Sequence, residues 1–187
     1  MPSPILHALA GAGIAFAATG RRSLPLGRAL AEDAPHMVAG AVLSCLPDVD
    51  YVPGLLAGEM NRFHQLGTHS LMFCAMAALL FILILHRSRF TFRLILLILL
   101  SHLLLDALTV DLREPVGFPL WWPFSMHAVH APFSLFPRWI KDSPGAMLTW
   151  RNLRPAVVEL AWGLGIFAGC AAWWKLGPRR GGTGHAR

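Results

Sequence analysis

The stretch Leu94-Ile95-Leu96-Leu97-Ile98-Leu99-Leu100-Ser101-His102-Leu103-Leu104-Leu105-Asp106-Ala107-Leu108-Thr109 is an aliphatic run broken by one imidazole and one carboxylate. It reads as a helix, and residues four apart lie on one helix face, so His102 and Asp106 are neighbours. An ionisable group inside an apolar span is costly unless partnered, and marks a functional site by default. The plainer alternative is a private His–Asp hydrogen bond, one helical turn long.

The rest of the chain supports a membrane setting for this run. Of 187 residues, 55% are hydrophobic and only 14% charged, with a mean hydropathy of +0.53. That is too little charge for an ordinary soluble domain, and too apolar for intrinsic disorder. No period indicates a collagen-like, coiled-coil or repeat fold. Five apolar runs stand out, near 5–19, 35–47, 66–85, 94–110 and 156–174. Crossing a bilayer takes about 20 helical residues, so the first two are short for the task. The expectation is an all-α polytopic membrane bundle of five spans, with four as the alternative. Residues 1–175 form one domain, and 176–187 form a basic flexible tail.

Sixteen Lys and Arg against ten acidic residues give a net charge of +6. The cations sit mostly between apolar runs, as in Arg21-Arg22, Arg87/Arg89/Arg93 and Arg179-Arg180, which suits lipid headgroups better than nucleic acid. With five spans, the side holding ten of the sixteen is cytoplasmic. The segment from Asp111 to Pro155, Pro-rich and carrying Trp121-Trp122-Pro123-Phe124, reads as an interfacial loop with short helical turns. Its tryptophans either anchor the loop at headgroup depth or wall a lipid-facing cleft. Cys45, Cys74 and Cys170 stand singly and read as small core hydrophobes. The N-terminus lacks a basic signal region, so the first run is expected to stay in the mature protein.

Further polar groups collect at one end of this topology. Leu46-Pro47 stops or bends run two just before Asp48 and Asp50, where an Asx turn is the plain reading. His64 and His69 precede run three, whose helix Thr68 or Ser70 can cap. His7 begins run one, whereas His36 falls near the opposite face. His7, Asp48, Asp50, His64, His69, His102 and Asp106 therefore all lie toward the non-cytoplasmic side. Imidazoles and carboxylates at one depth are the donor set of a mixed nitrogen and oxygen metal site, with zinc first and manganese or iron as alternatives. Bridging carboxylates such as Asp50 and Asp106 would allow one ion or two. Asp48 and His64 are the candidate catalytic groups, Asp48 as general base unless it is itself a ligand.

The set Leu46-Pro47-Asp48-Val49-Asp50, His64, Thr68-His69-Ser70, Ser101-His102, Asp106, Leu108-Thr109, Gly117 and Pro119 to Phe124 resembles the YdjM family. These are LexA-regulated inner-membrane proteins described as metal-dependent hydrolases. The resemblance covers roughly residues 1–125 and implies a small helical protein of the bacterial inner membrane, with the seven residues above as ligands or catalytic groups. The His-x3-Asp helix and the Asp50 to His64 spacing are also remotely similar to all-helical zinc-dependent phospholipase C, which would favour a phosphodiester. This chain departs from the family pattern at Gln65, where an arginine is common, at Tyr51, where a further histidine is common, and in the insertion Val110 to Val116. Glutamine supplies no charge for phosphate. Arg113, Arg138 or Lys141 would then meet an anionic headgroup, and His127 and His130 are lesser ligand candidates. Glu159 is expected to pair with Arg151 or Arg154.

The resulting expectation is a metal-dependent hydrolase acting on an ester, first a phosphoester, of a membrane lipid or lipid-linked substrate at the periplasmic face. Two other classes use the same cluster: a divalent-cation or proton transporter, and a scaffold around a structural metal, which would leave no open coordination position.

Overall fold

The computed structural model describes residues 2–85, 88–112, 116–141 and 143–177. Seven α-helices follow one another: α1 (Pro4–Thr19), α2 (Leu26–Ser44), α3 (Tyr51–Leu56), α4 (Leu71–Ile84), α5 (Phe92–Ala107), α6 (Pro144–Met147) and α7 (Leu153–Leu176). Short 3-10 turns cover Leu46–Asp50, Gly67–His69 and Trp150–Asn152. Among the described residues the only extended pairings are two isolated bridges, Thr109 with Phe136 and Phe118 with Val129. The fold is all-α.

Local chemistry sets the helix ends. The Ser70 hydroxyl accepts from the Phe73 amide at 3.1 Å and opens α4, so Ser70 rather than Thr68 is the cap. Thr91 does the same for α5 through the Leu94 amide at 3.2 Å. Pro4 sits in the first turn of α1, where its missing N–H costs nothing. The second apolar run starts later than its helix. Pro35 is solvent-exposed inside α2, which begins at Leu26 and carries Arg28, Glu32 and Asp33 in its first half. Hydropathy saw only the apolar second half. That helix ends at Ser44, and Pro47 enters the 3-10 turn bearing Asp48 and Asp50.

Helix α1 is the hub, packed against α2, α5 and α7, while α4 packs on α5. Its contact with α2 is backbone on backbone. A Cβ on Gly11 would collide with the Gly40 carbonyl oxygen, and a Cβ on Gly40 would come within 2.5 Å of the Gly11 oxygen. Such small-residue crossings bring helices closer than side chains permit. The central core joins Ala15, Leu43, Cys74, Ile95, Ile98 and Leu99. Cys74 thus fills the core as expected, and Cys45 and Cys170 are half-buried free thiols.

Outward faces remain apolar. Leu80, Leu83, Leu97, Leu104 and Trp173 are each more than half exposed, more exposed apolar surface than water-soluble monomers tolerate. Helix α7, 24 residues and about 36 Å long, lies within Trp150–Leu176, among the described residues the one helical segment long and apolar enough to cross a bilayer alone, and only 11% of its most apolar window is buried. The 16 residues of α1 and the 14 of α4 reach roughly 24 and 21 Å. Helix lengths therefore supply one span outright, not four or five. The third run was longer than its helix because it included the non-helical flank Gly67–His69.

The segment after α5 is irregular, with α6 and the Trp150–Asn152 turn as its helical turns. The expectation for Glu159 fails here. Glu159 pairs with neither Arg151 nor Arg154; it is fully buried and accepts from the Ser3 amide at 2.7 Å. Lys141 is buried too, donating to the Pro2 carbonyl at 2.6 Å. Both are consumed in seating the residues before α1, which no local pattern announces. Arg113 and residues 178–187 of the expected tail lie outside the described residues.

Far from the Asp48 turn, Asp33 is buried and held by the Thr19 hydroxyl at 2.6 Å, His36 at 3.1 Å and Arg89 at 3.6 Å. This cluster ties α1, α2 and the α4–α5 connection together at that end. A Gly40→Leu substitution should cost about 3 kcal/mol or prevent folding, whereas Gly27→Ala, at a helical position with open space around it, should be neutral or stabilise by about 0.5–1 kcal/mol. Thermal unfolding followed by circular dichroism in detergent checks both.

Candidate metal centre

The start of α1, the turn after α2, the turn before α4 and the last turns of α5 meet at one end of the bundle, and all seven predicted residues are gathered there. His7, His69 and His102 are completely buried, Asp106 and His64 nearly so. Ion-pair partners of Asp48, Asp50 and Asp106 are histidines from three other elements. The His–Asp pair of α5 is real, at 3.2 Å, but it is not private, because His69 Nε2 lies 3.2 Å from the same Asp106 oxygen.

Hydrogen bonds fix the tautomers. His102 Nδ1 lies 2.7 Å from the Ser44 carbonyl oxygen. A carbonyl only accepts, so Nδ1 carries the proton and Nε2 turns a lone pair into the cluster. His69 Nδ1 lies 3.2 Å from Asp50 Oδ2 and 3.1 Å from the Thr68 hydroxyl, which itself donates to Asp50. His64 Nδ1 donates to Asp50 Oδ1 at 2.7 Å, and the Gln65 amide donates to Oδ2 at 3.0 Å. Asp50 thus spends both oxygens on orienting two imidazoles. That is the carboxylate–histidine arrangement found behind metal ligands.

Four atoms converge in front of this layer. His69 Nε2 and His102 Nε2 are 3.3 Å apart, each lies 3.2 Å from Asp106 Oδ2, and each lies 3.7 Å from Asp48 Oδ1. The edge of a tetrahedron of nitrogen ligands around zinc is about 3.3 Å, given bonds of about 2.0–2.1 Å. Asp48 Oδ1 and both Asp106 oxygens are buried without a hydrogen-bond donor. Buried oxygens left this way need a cation. The donor set and its spacing therefore fit a divalent metal. His7 stacks on His102 with ring centroids 3.8 Å apart and places Nε2 3.4 Å from Asp106 Oδ1. The two oxygens of Asp106 so face different imidazoles, and His7, His102 and Asp106 form a second group able to hold an ion.

Burial lowers the His64 imidazole to about 4 despite Asp50 beside it. Burial alone would raise the carboxyls of Asp48 and Asp50. The imidazoles of His102 and His69 close by outweigh it for the first, and hydrogen bonds from His64 and His69 for the second, holding both below the ordinary range. Burial also opposes charge on His69, yet the carboxylates of Asp106, Asp48 and Asp50 keep its imidazole protonated well above its usual pKa. A proton on His69 Nε2 and a divalent cation compete for the same pocket of oxygens.

Sequence reasoning missed several participants. Tyr51 stacks on His64 at 3.7 Å, so the residue standing where the family often has histidine supports a ligand-bearing turn. Gln65 contributes its backbone N–H, in a left-handed conformation with φ 66°. Phe118, positioned by its bridge to Val129, comes 6.0 Å from His69. His127 is exposed and His130 donates to the Thr109 carbonyl at 3.3 Å, so neither joins the cluster.

His102→Ala or Asp106→Ala should abolish stoichiometric metal in the purified protein, whereas Asp50→Asn should weaken affinity about 10–100-fold, and His127→Ala should change nothing; elemental analysis and competition with a chelating dye read these. Below the raised pKa of His69 one proton must leave as a metal enters, so affinity should rise about tenfold per pH unit there. Calorimetry in buffers of different ionisation enthalpy would show that released proton.

No curated protein and no solved structure matches the chain. A family model described as "YdjM inner membrane protein" matches residues 1–177, well past the segment carrying the motifs and through the whole of α7. With His7, the Asp48–Asp50 turn, His64, His69, His102 and Asp106 brought together in one centre, the chain belongs to the YdjM inner membrane protein family.

Proposed function

We propose that the protein is a membrane-embedded, metal-dependent hydrolase that cleaves a phosphoester of a lipid or lipid-linked substrate at the periplasmic face. The observation carrying this reading is the convergence of His69 Nε2, His102 Nε2, Asp48 Oδ1 and Asp106 Oδ2 on one point, backed by Ser44 and Asp50. In this reading those four groups hold the ion, with zinc first and manganese or iron as alternatives. His7 and the second Asp106 oxygen provide for another. A bound divalent ion would supply a Lewis acid for the phosphoryl oxygens and lower the pKa of water.

The residues around the ion divide the remaining work. Asp48 points its oxygen at two ligand nitrogens, so it serves as a ligand rather than as the general base. His64 takes that role: Asp50 holds its Nδ1 proton, and its Nε2 lies 4.0 Å from Asp48 Oδ1 at the edge of the cluster. Its low basicity keeps it unprotonated at neutral pH, ready to accept a proton from attacking water and return it to the leaving oxygen. Apolar outer faces on α1, α2, α4, α5 and α7 support a bundle set within the membrane, and the positive-inside bias favours a metal end on the periplasmic side.

A relay across the membrane would need polar steps between the metal centre and the Asp33 cluster at the other end. Between them the structure packs Ala15, Leu43, Ile95, Ile98 and Leu99, which favours a hydrolase over a transporter.

Purified protein loaded with zinc or manganese and offered soluble and lipid phosphoesters should release product. Chelation should abolish this, and metal should restore it. His64→Ala should retain metal while kcat falls about 10²–10⁴-fold. Fully metallated protein inert across the panel would overturn the reading in favour of a structural metal, and metal flux into proteoliposomes would overturn it in favour of transport.

A further inference from the structure

At the Asp33 end, far from the metal centre, α5 and α7 both pack on α1 and leave a groove of about 920 Å³ between them. Ala17 and Ala18 of α1 form its floor, and Leu97 and Trp173 stand in its walls, 54% and 61% exposed. The groove therefore opens outward onto the apolar face of the bundle. Arg89 and Arg93 line it as well, and no acidic residue does among the described residues.

The two arginines differ. Arg89 donates through Nη1 to the Thr19 carbonyl and faces Asp33 at 3.6 Å, while its side chain stays 41% exposed. Arg93 is exposed and has neither an acceptor nor an ion-pair partner among the described residues. It also stands in the first turn of α5, the end of a helix that disfavours a cation. Neither acid at this end is free to answer it: Glu32 pairs with Arg21 at 3.4 Å, and Asp33 with His36 and Arg89. Among the described residues this end carries Arg21, Arg22, Arg28, Arg89, Arg93 and Lys175 against those two acids. A positive surplus thus sits over an apolar groove.

An anion supplies what Arg93 lacks, and the apolar walls require that anion to carry hydrocarbon. For an inner membrane protein the molecule with both properties is an anionic phospholipid, and basic pockets between membrane helices bind such headgroups. We propose that this groove is a site for one anionic phospholipid of the leaflet at the Asp33 end. Its phosphate accepts from Arg93 and from the Arg89 nitrogens that Thr19 does not engage, and the first part of one acyl chain lies on Ala17 and Ala18 between Leu97 and Trp173. A zwitterionic lipid brings its own ammonium, which the arginines repel. The bound lipid fills the gap between α7 and α5, the helix that carries His102 and Asp106, and braces both against α1. The site is separate from the metal centre and does not depend on its chemistry.

The test uses the full chain in phosphatidylcholine nanodiscs with a trace of phosphatidylglycerol bearing a diazirine in one acyl chain, close to the glycerol. The control is phosphatidylethanolamine with the same chains, which keeps the phosphate and lacks the net charge. Label mapped by peptide mass spectrometry should concentrate on the segments bearing Ala17–Ala18 and Leu97, with phosphatidylglycerol exceeding phosphatidylethanolamine about five- to tenfold. Arg93→Gln should erase that preference, and Arg93→Lys should keep most of it. Arg28→Gln removes the same charge from an exposed position of α2 outside the groove and should leave the preference intact, which separates a site from the general attraction of a basic surface. Ala18→Phe should abolish labelling of the groove by both lipids. Ala18 and Arg93 are exposed, so neither change disturbs the core. Equal labelling by the two lipids, a preference that survives Arg93→Gln or falls as far in Arg28→Gln, or label spread evenly to the outward face of α4 would overturn the proposal. Cross-links between two copies of the chain at Trp173, with the groove unlabelled, would overturn it in favour of a second copy as the occupant.

Discussion

Three carboxylates, Asp48, Asp50 and Asp106, are drawn together inside an apolar bundle, and the structure around them follows from that constraint. Charges so placed cannot be left to solvent, and no arrangement of aliphatic side chains compensates them. Histidines from the turn between α3 and α4, from α5 and from α1 answer them. Three of them are oriented by a second partner: a carbonyl for His102, Asp50 for His64 and His69. Asp48 Oδ1, both Asp106 oxygens and both His7 nitrogens remain without a hydrogen-bond partner, which distinguishes a binding centre from a buried polar network that has closed on itself.

Bringing four elements to one point requires the helices to approach closely, and here glycine matters more than any apolar side chain. Gly11 on α1 faces Gly40 on α2 with no room for a methyl group on either. That crossing sets His7 one turn above the contact and brings the end of α2, with Ser44 and then Asp48, beneath it. At the other end Asp33, Thr19, His36 and Arg89 hold the same helices. Between the two polar clusters the packing is aliphatic, so the bundle is pinned at both ends and plain in the middle.

The chemistry-bearing residues were legible because an apolar sequence makes each ionisable group conspicuous, and because antiparallel helices let each be assigned to an end. His7, Asp48, Asp50, His64, His69, His102 and Asp106 were all found this way. Their division of labour was not legible: spacing gives no means of telling a ligand from the carboxylate behind it, and Asp50 declares itself only through the protons it accepts. Long-range partners were equally hidden. Glu159 and Lys141 looked like surface charges near basic or lipid neighbours, and both turned inward to the residues before α1, more than 130 positions away. The run 66–85 misled over α4 because hydropathy does not register where a helix begins, and Pro35 misled over α2 because an exposed proline interrupts the pattern without breaking the helix.

The Asp50 carboxylate collects its partners from residues 64 to 69, only 14 to 19 positions further along the chain. This half of the centre can organise from short-range contacts, with little loop-closure entropy to overcome. His7 and His102 arrive from distant helices and meet it only when the bundle closes. An ion captured by the local half would then reward each later arrival, so the same atom that serves the chemistry would also act as the rivet that gives the assembled bundle its order of construction.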